Sequence, residues 1–146
     1  MDQYIEFISN HYLLSLALIV VLYLLLQELI ESSFNQFEGL SPMLAVAKMN
    51  NTDSVIVDVR DPHEYIKGHI ENSLNLPLNK FSETVNKIEQ YKKQTVIIVC
   101  QTGTRSIAAC KTLTKENFEN VYNIVGGMQS WEDGKLPIKV TSKHKD

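Results

Sequence analysis

No lysine or arginine occurs before Lys48, and no cluster of them appears until the short tail Lys143, His144, Lys145. The formal net charge is -3. A chain without a basic stripe lacks the electrostatic footprint of a nucleic-acid binder, so no nucleic-acid partner is expected. Residues 139–146 read as a flexible, solvated tail. Cysteine is scarce as well. Cys100 and Cys110 are the only two, too few for a disulfide framework. There is no CxxC pair, and His11, His63, His69 and His144 are scattered, so neither a metal nor a cofactor is expected. An exposed reactive thiol in such a chain suits a reducing compartment such as the cytoplasm. No internal repeat or low-complexity run is present.

Charge is missing altogether between Glu6 and Glu28. Phe7 to Gln27 makes a run of 21 residues with a denser apolar centre from Tyr12 to Leu26. As a helix it would reach about 31 Å, the thickness of a bilayer's hydrocarbon core. A secretory signal would need a basic start and a small-residue cleavage site. Asp2 and Glu6 occupy the start, and no A-x-A-like site follows Leu26. A buried helix would show one polar face, whereas Leu13 to Leu26 is interrupted only by Ser15 and Tyr23. Residues 1–27 are therefore expected to form a membrane anchor, touching lipid through residues 7–27. With no basic residue near either end, the positive-inside rule gives no orientation.

The 146 residues leave room for one domain beyond that segment. Residues 28–39 read as a linker or helical extension, with the domain at 40–138. Ser41-Pro42 is a good N-cap and N1 pair for a helix running to about Met49. Ser54 to Arg60 is a β-branched, nearly continuous apolar run and reads as a buried strand. Asp61-Pro62 starts a short helix through Lys67, and Ser73 to Leu76 a second short strand stopped by Pro77. In Phe81 to Tyr91, helical spacing puts Phe81, Val85 and Ile88 on one face. Thr95 to Cys100 is the strongest strand signal. A helix from Ser106 to about Asn117, a strand from Val121 to Val125 and a short helix around Trp131 complete the pattern. Strands alternating with helices predict an α/β domain with a largely parallel sheet and helices on both faces.

The chemistry is expected in Cys100-Gln101-Thr102-Gly103-Thr104-Arg105-Ser106, between a buried strand and a helix. Ligands bind at the carboxyl ends of strands in open α/β sheets. A loop there can turn its backbone N–H groups inward, with a helix N-terminus behind it, and favour an anion. Cys100 would sit at the base of that cup. The thiolate is the nucleophile, and the helix N-terminus and the Arg105 guanidinium would both lower its pKa. Gly103 permits a positive φ, and Thr102, Thr104 and Ser106 add hydroxyl donors. Cys110, on the helix facing the sheet, reads as an inert packing residue.

The segment resembles the C-x-x-G-x-R-S active-site loop of the rhodanese family, with Cys100, Gly103, Arg105 and Ser106 in place. Further landmarks match in order: Asp58-Val59-Arg60, Glu64-Tyr65, Gly68-His69-Ile70 leading to Asn75-Leu76-Pro77, and Gly126-Gly127 with Trp131. With its N-terminal apolar segment, the chain resembles small membrane-anchored bacterial rhodaneses. The resemblance implies a rhodanese-like domain after one transmembrane helix, single-pass in the inner membrane, with its catalytic domain in the cytoplasm. It implies a sulfurtransferase that takes sulfur from a sulfane-sulfur donor such as thiosulfate onto Cys100 as a persulfide and passes it to cyanide or a thiol acceptor. This is covalent catalysis in two half-reactions. Asp58 would end a core strand near the same sheet edge. Arg60 would pair with a carboxylate such as Glu71 or help the anion site, the structural pair being preferred. His69 is expected to support the loop fold, and Trp131 to be core or pocket wall.

Two rival readings share the architecture. A phosphatase or arsenate reductase places five residues between Cys and Arg, and here there are four. A persulfide carrier or docking module presented at the membrane would keep Cys100 without efficient turnover. The sequence identifies no protein partner.

Overall fold

The computed structural model describes residues 11–34 and 37–141. The chain divides into two units between residues 35 and 36. In the first, α1 runs Tyr12–Phe34 over 23 residues. It contains neither glycine nor proline, and Glu28 and Leu29 are good helix formers, so the helix continues past Gln27 as a helical extension, one of the two readings given for residues 28–39. Tyr12–Ile30 is long and apolar enough to cross a membrane, and none of it is buried. Within the span, Gln27 Nε2 donates to Tyr23 Oη at 3.3 Å. Residues 7–10 of the expected anchor lie outside the described residues.

The second unit is built on a five-stranded sheet of order β1-β5-β4-β2-β3. Its strands are β1 Phe37–Leu40, β2 Ser54–Asp58, β3 Leu74–Asn75, β4 Thr95–Val99 and β5 Asn120–Ile124. All four pairings are parallel. The helices are α2 Pro42–Asn51, α3 Pro62–Lys67, α4 Phe81–Thr84, α5 Thr104–Lys115 and α6 Gly127–Asp133. β4 is buried along its whole length, as a central strand covered on both faces must be. Its side chains alternate between two cores. Val96 and Ile98 join Val57, Ile88, Cys110 and Leu113 on one face. Ile97 and Val99 join Ala45, Met128 and Trp131 on the other.

Local signals explain most boundaries. Ser41 caps α2, its Oγ accepting the Leu44 N–H, with Pro42 in the first turn. Asp61 and Pro62 open α3. Phe81, Val85 and Ile88 are all buried, but only Phe81–Thr84 is α-helical and Val85–Tyr91 winds as a 3-10 helix.

Three expectations need correction. Phe37, Glu38 and Gly39, expected in a linker or helical extension, form the edge strand β1 with Leu40 and pair with β5. The strand is too short to show alternation, and its order comes from the neighbouring backbone rather than from its own side chains. Residues 139–141, taken as tail, are tied down. Lys139 exchanges backbone hydrogen bonds with His69 at 3.0 and 2.7 Å, and the Thr141 N–H reaches the Ile66 carbonyl at 3.2 Å. Residues 142–146 lie outside the described residues. Finally, α5 begins at Thr104, so Thr104 and Arg105 belong to its first turn rather than to the loop.

Leu113 is fully buried on α5. Leu113→Ala should destabilise the domain by about 2–5 kcal/mol through lost burial and a cavity. Urea unfolding of the full chain in detergent, followed by the fluorescence of Trp131, checks this. The exposed neighbour Lys111→Ala should stay within about 0.5 kcal/mol of the parent.

Candidate active site

Cys100 follows β4 directly, at the carboxyl edge of the sheet. Against the expectation of an exposed thiol, its side chain packs in the apolar cluster of Val96 and Ile98, and the residue has 0% of its surface exposed. Sγ nevertheless also meets polar groups. The Gly103 N–H donates to it at 3.1 Å, and the thiol faces Ser106 Oγ at 3.4 Å. Gly103 holds φ 92° at the N-cap of α5, a left-handed conformation that glycine adopts without cost. This turn brings both the amide and the start of α5 onto the sulfur. A helix of 12 residues presents partial positive charge there.

The loop is held from behind by α6. The Met128 N–H donates to the Cys100 carbonyl at 2.8 Å and the Gln129 N–H to the Gln101 carbonyl at 3.0 Å. This approach is why Gly127 is needed: a Cβ on it would lie 2.3 Å from the Cys100 carbonyl oxygen, at φ 60°. From β5, the buried Asn123 sets its Oδ1 2.5 Å from Ser106 Oγ, which also lies 2.9 Å from the Gly103 carbonyl. With one proton to donate to these two acceptors, the Ser106 hydroxyl has a free lone pair for the thiol. Asn123 was not anticipated; a polar residue inside an apolar strand was the available signal.

The two arginines behave differently from expectation. Arg105 makes a bidentate pair with Glu64, both contacts at 2.9 Å. Its guanidinium was expected to face Cys100, and instead it is neutralised by a carboxylate. Glu64 also accepts the Asp61 N–H at 3.1 Å. The Arg105 hydrogen bonds hold the Glu64 carboxyl far below its usual range, at about 2. The same pair raises the Arg105 pKa, with a smaller upward contribution from Cys100. Arg60 does not pair with Glu71, which pairs with Lys139 at 3.5 Å on the surface. Residues two apart along an extended chain face the same side, and Arg60 accordingly folds back on Asp58, Nη2 to Oδ2 at 2.7 Å with both residues buried. Arg60 further donates to the Gly68 carbonyl at 2.7 Å and to Gln101 Oε1 at 3.1 Å. It thereby ties the residue after Cys100 to β2.

Thr102 and Thr104 are exposed, and their hydroxyls face each other at 3.4 Å rather than the sulfur. His69 stacks on Tyr65 with ring centroids 3.8 Å apart, and its Nδ1 lies 2.9 Å from the Tyr65 carbonyl. Trp131 is buried and donates to the Pro137 carbonyl. Burial pushes the Cys110 thiol up to about 12, which leaves it an inert packing group. Asp61, His63 and Glu64 bring ligand atoms within 4.8 Å of one another. Both Glu64 oxygens already hold Arg105, so the set does not fit a metal ion.

The model of the Rhodanese-like domain family matches residues 41–133. The uncharacterized protein YibN of Escherichia coli (strain K12) is 30% identical over 139 residues, covering 94% of this chain and 97% of YibN. Thiosulfate sulfurtransferase GlpE of Actinobacillus pleuropneumoniae is 27% identical over 103 residues, 70% of this chain and 94% of GlpE. Among solved structures, a rhodanese-related protein from Thermoplasma volcanium aligns with TM-score 0.64 at 28% identity, covering 72% of this chain and 99% of its own.

Two outcomes follow from this geometry. Because the Glu64 pKa is depressed from 4.5 to about 2, its stabilisation is complete above pH 4.5 and lost as pH falls toward 2. Glu64→Gln should therefore cost about 1 kcal/mol at pH 7, modest because the pair is partly exposed. The gap to wild type should close across that acid window in denaturation curves. Gly127→Ala should cost about 1–3 kcal/mol through backbone strain and dislodge the loop, read as a lower thermal midpoint together with faster alkylation of Cys100.

Proposed function

The chain belongs to the rhodanese-like domain family, and from that premise we propose that it is a sulfurtransferase whose nucleophile is Cys100. The observation that carries this reading is the Gly103 N–H at 3.1 Å from Sγ, at the start of α5. An amide donor and a helix N-terminus favour the thiolate over the thiol. They favour equally the terminal anion of a persulfide, without a general base.

With thiosulfate as donor, the Cys100 thiolate attacks the outer sulfur. The Sγ–S bond forms as the S–S bond of thiosulfate breaks, and the bonding pair leaves on sulfite. In the second half-reaction a thiol acceptor, as its thiolate, takes the terminal sulfur and returns Cys100 to the thiolate. Cyanide would take it as thiocyanate. Gln101 to Gly103 form the substrate loop, with Thr104 to Ser106 beside it in the first turn of α5. Gly103 contributes its amide, Ser106 its hydroxyl and Arg105 the tie to α3. Asp58 and Arg60 act as supports, holding Gln101 rather than touching the sulfur.

Complete burial of Cys100 favours a second reading, a persulfide carrier. Sulfur bound there is shielded until the loop opens, as suits delivery to a docked acceptor. In either role we place the domain in the cytoplasm, where Cys100 and Cys110 stay reduced. Residues 1–27, continued by α1 to Phe34, would hold it to the inner membrane in a single pass. The domain itself would span residues 37–141.

After thiosulfate treatment, intact mass should show one added sulfur, mapped to the peptide containing Cys100. Cys100→Ser should abolish it and Cys110→Ser should leave it unchanged. The reverse pattern would falsify the assignment. Thiocyanate production in the steady state identifies a catalyst, and a single sulfur loading without turnover identifies a carrier.

A further inference from the structure

The segments that surround the loop are poor in free positive charge. Arg105 is the sole basic residue between Cys100 and Cys110, and both its terminal nitrogens are held by Glu64 at 2.9 Å. Arg60, which reaches Gln101, is buried against Asp58. Asp61, the N-cap of the helix α3 that carries Glu64, adds a further negative charge acting on Arg105, and the helix's own cation, Lys67, lies in its last turn. Helix α6, which grips the loop through Met128 and Gln129, has no lysine or arginine and ends in Glu132 and Asp133. The exposed rim of the loop consists of Thr102 and Thr104, which are neutral.

Sulfur donors differ in the charge they bring to such a site. Thiosulfate is a dianion and leaves as another dianion, sulfite, so attack by a thiolate gathers three negative charges in one cup. At its reacting sulfurs an organic persulfide brings one charge or none, and it leaves as a thiol. Unlike charges at short range are worth several-fold to many-fold in rate where solvent is excluded. Resting on the sulfurtransferase reading, we propose that Glu64 is a specificity-determining residue: by neutralising Arg105 it makes organic persulfides, R–S–SH, preferred over thiosulfate as the sulfur donors of this site.

The step balances without an oxidant. The Cys100 thiolate attacks the terminal sulfur of R–S–SH, and the Sγ–S bond forms as the S–S bond of the persulfide breaks. The electron pair goes to the departing RS⁻, which takes up the persulfide proton. The products are the Cys100 persulfide anion and RSH. The Glu64 carboxyl, held near 2, is ionised throughout the physiological range, so the neutralisation of Arg105 is constant rather than pH-gated.

The full-length chain in detergent micelles provides the test, with glutathione persulfide and thiosulfate as the two probes. Rates of single-sulfur addition to Cys100 are read by quenched intact mass. Wild type should load from glutathione persulfide at least about tenfold faster than from thiosulfate. Glu64→Gln frees the guanidinium and should raise the thiosulfate rate about five- to tenfold while moving the persulfide rate less than about twofold. Thr102→Lys adds a cation at the exposed rim without touching the Glu64 pair. It should act in the same direction, and it carries the test if Glu64→Gln does not fold. Thiosulfate loading wild type as fast as glutathione persulfide would overturn the proposal. So would a thiosulfate rate unmoved in Thr102→Lys or in folded Glu64→Gln. Absence of any added sulfur from either donor in every variant is a different result: it removes the sulfurtransferase reading itself.

Discussion

The hydrogen bond from the Met128 amide to the Cys100 carbonyl, 2.8 Å long, joins the end of the central strand to the start of α6. The rest of the site depends on that junction. It requires Gly127 to have no side chain, and it fixes where the chain leaves β4. Once the Cys100 carbonyl is held there, the next residues turn through the positive φ of Gly103 and deliver its amide to the sulfur. The second amide of the pair, from Gln129, holds the Gln101 carbonyl, while Arg60 holds the Gln101 side chain from the other side. The loop is gripped by its carbonyls, which leaves its amides free to serve an anion.

Electrostatically the site is built from dipoles more than from charges. Both arginines that the motif supplies are paired with carboxylates, Arg60 in the interior and Arg105 at the rim. What reaches Sγ is an amide, a hydroxyl and the end of α5. Such groups stabilise a localised anion on one sulfur atom and add little long-range attraction for a multiply charged substrate. The division gives the two pairs different duties: Asp58–Arg60 braces the loop against β2, and Glu64–Arg105 joins α5 to α3.

Much of this fold was legible in the sequence, because β2 and β4 are nearly unbroken runs of Val and Ile, and only a strand buried on both faces tolerates such a run. The caps at Ser41 and Asp61 marked helix starts for local reasons. β1 was not legible: Phe37 to Leu40 owes its order to the neighbouring strand β5. Within the site, Cys100, Gly103 and Ser106 were found because they are adjacent in sequence. The partners of the arginines were not, since Glu64 and Arg105 meet only when α3 and α5 are packed across 41 residues of chain. Asn123 was missed for the same reason. Asp58 and Arg60 lie two apart, and strand geometry alone would have paired them.

The complete enclosure of Cys100 also bears on its durability. Thiols climb the oxidation ladder to sulfinic and sulfonic acids in proportion to their thiolate character and exposure. Here the amide and hydroxyl that reach Sγ belong to the same turn and helix start that enclose it, so a sulfur anion at this position would be stabilised and shielded from peroxide by one set of groups.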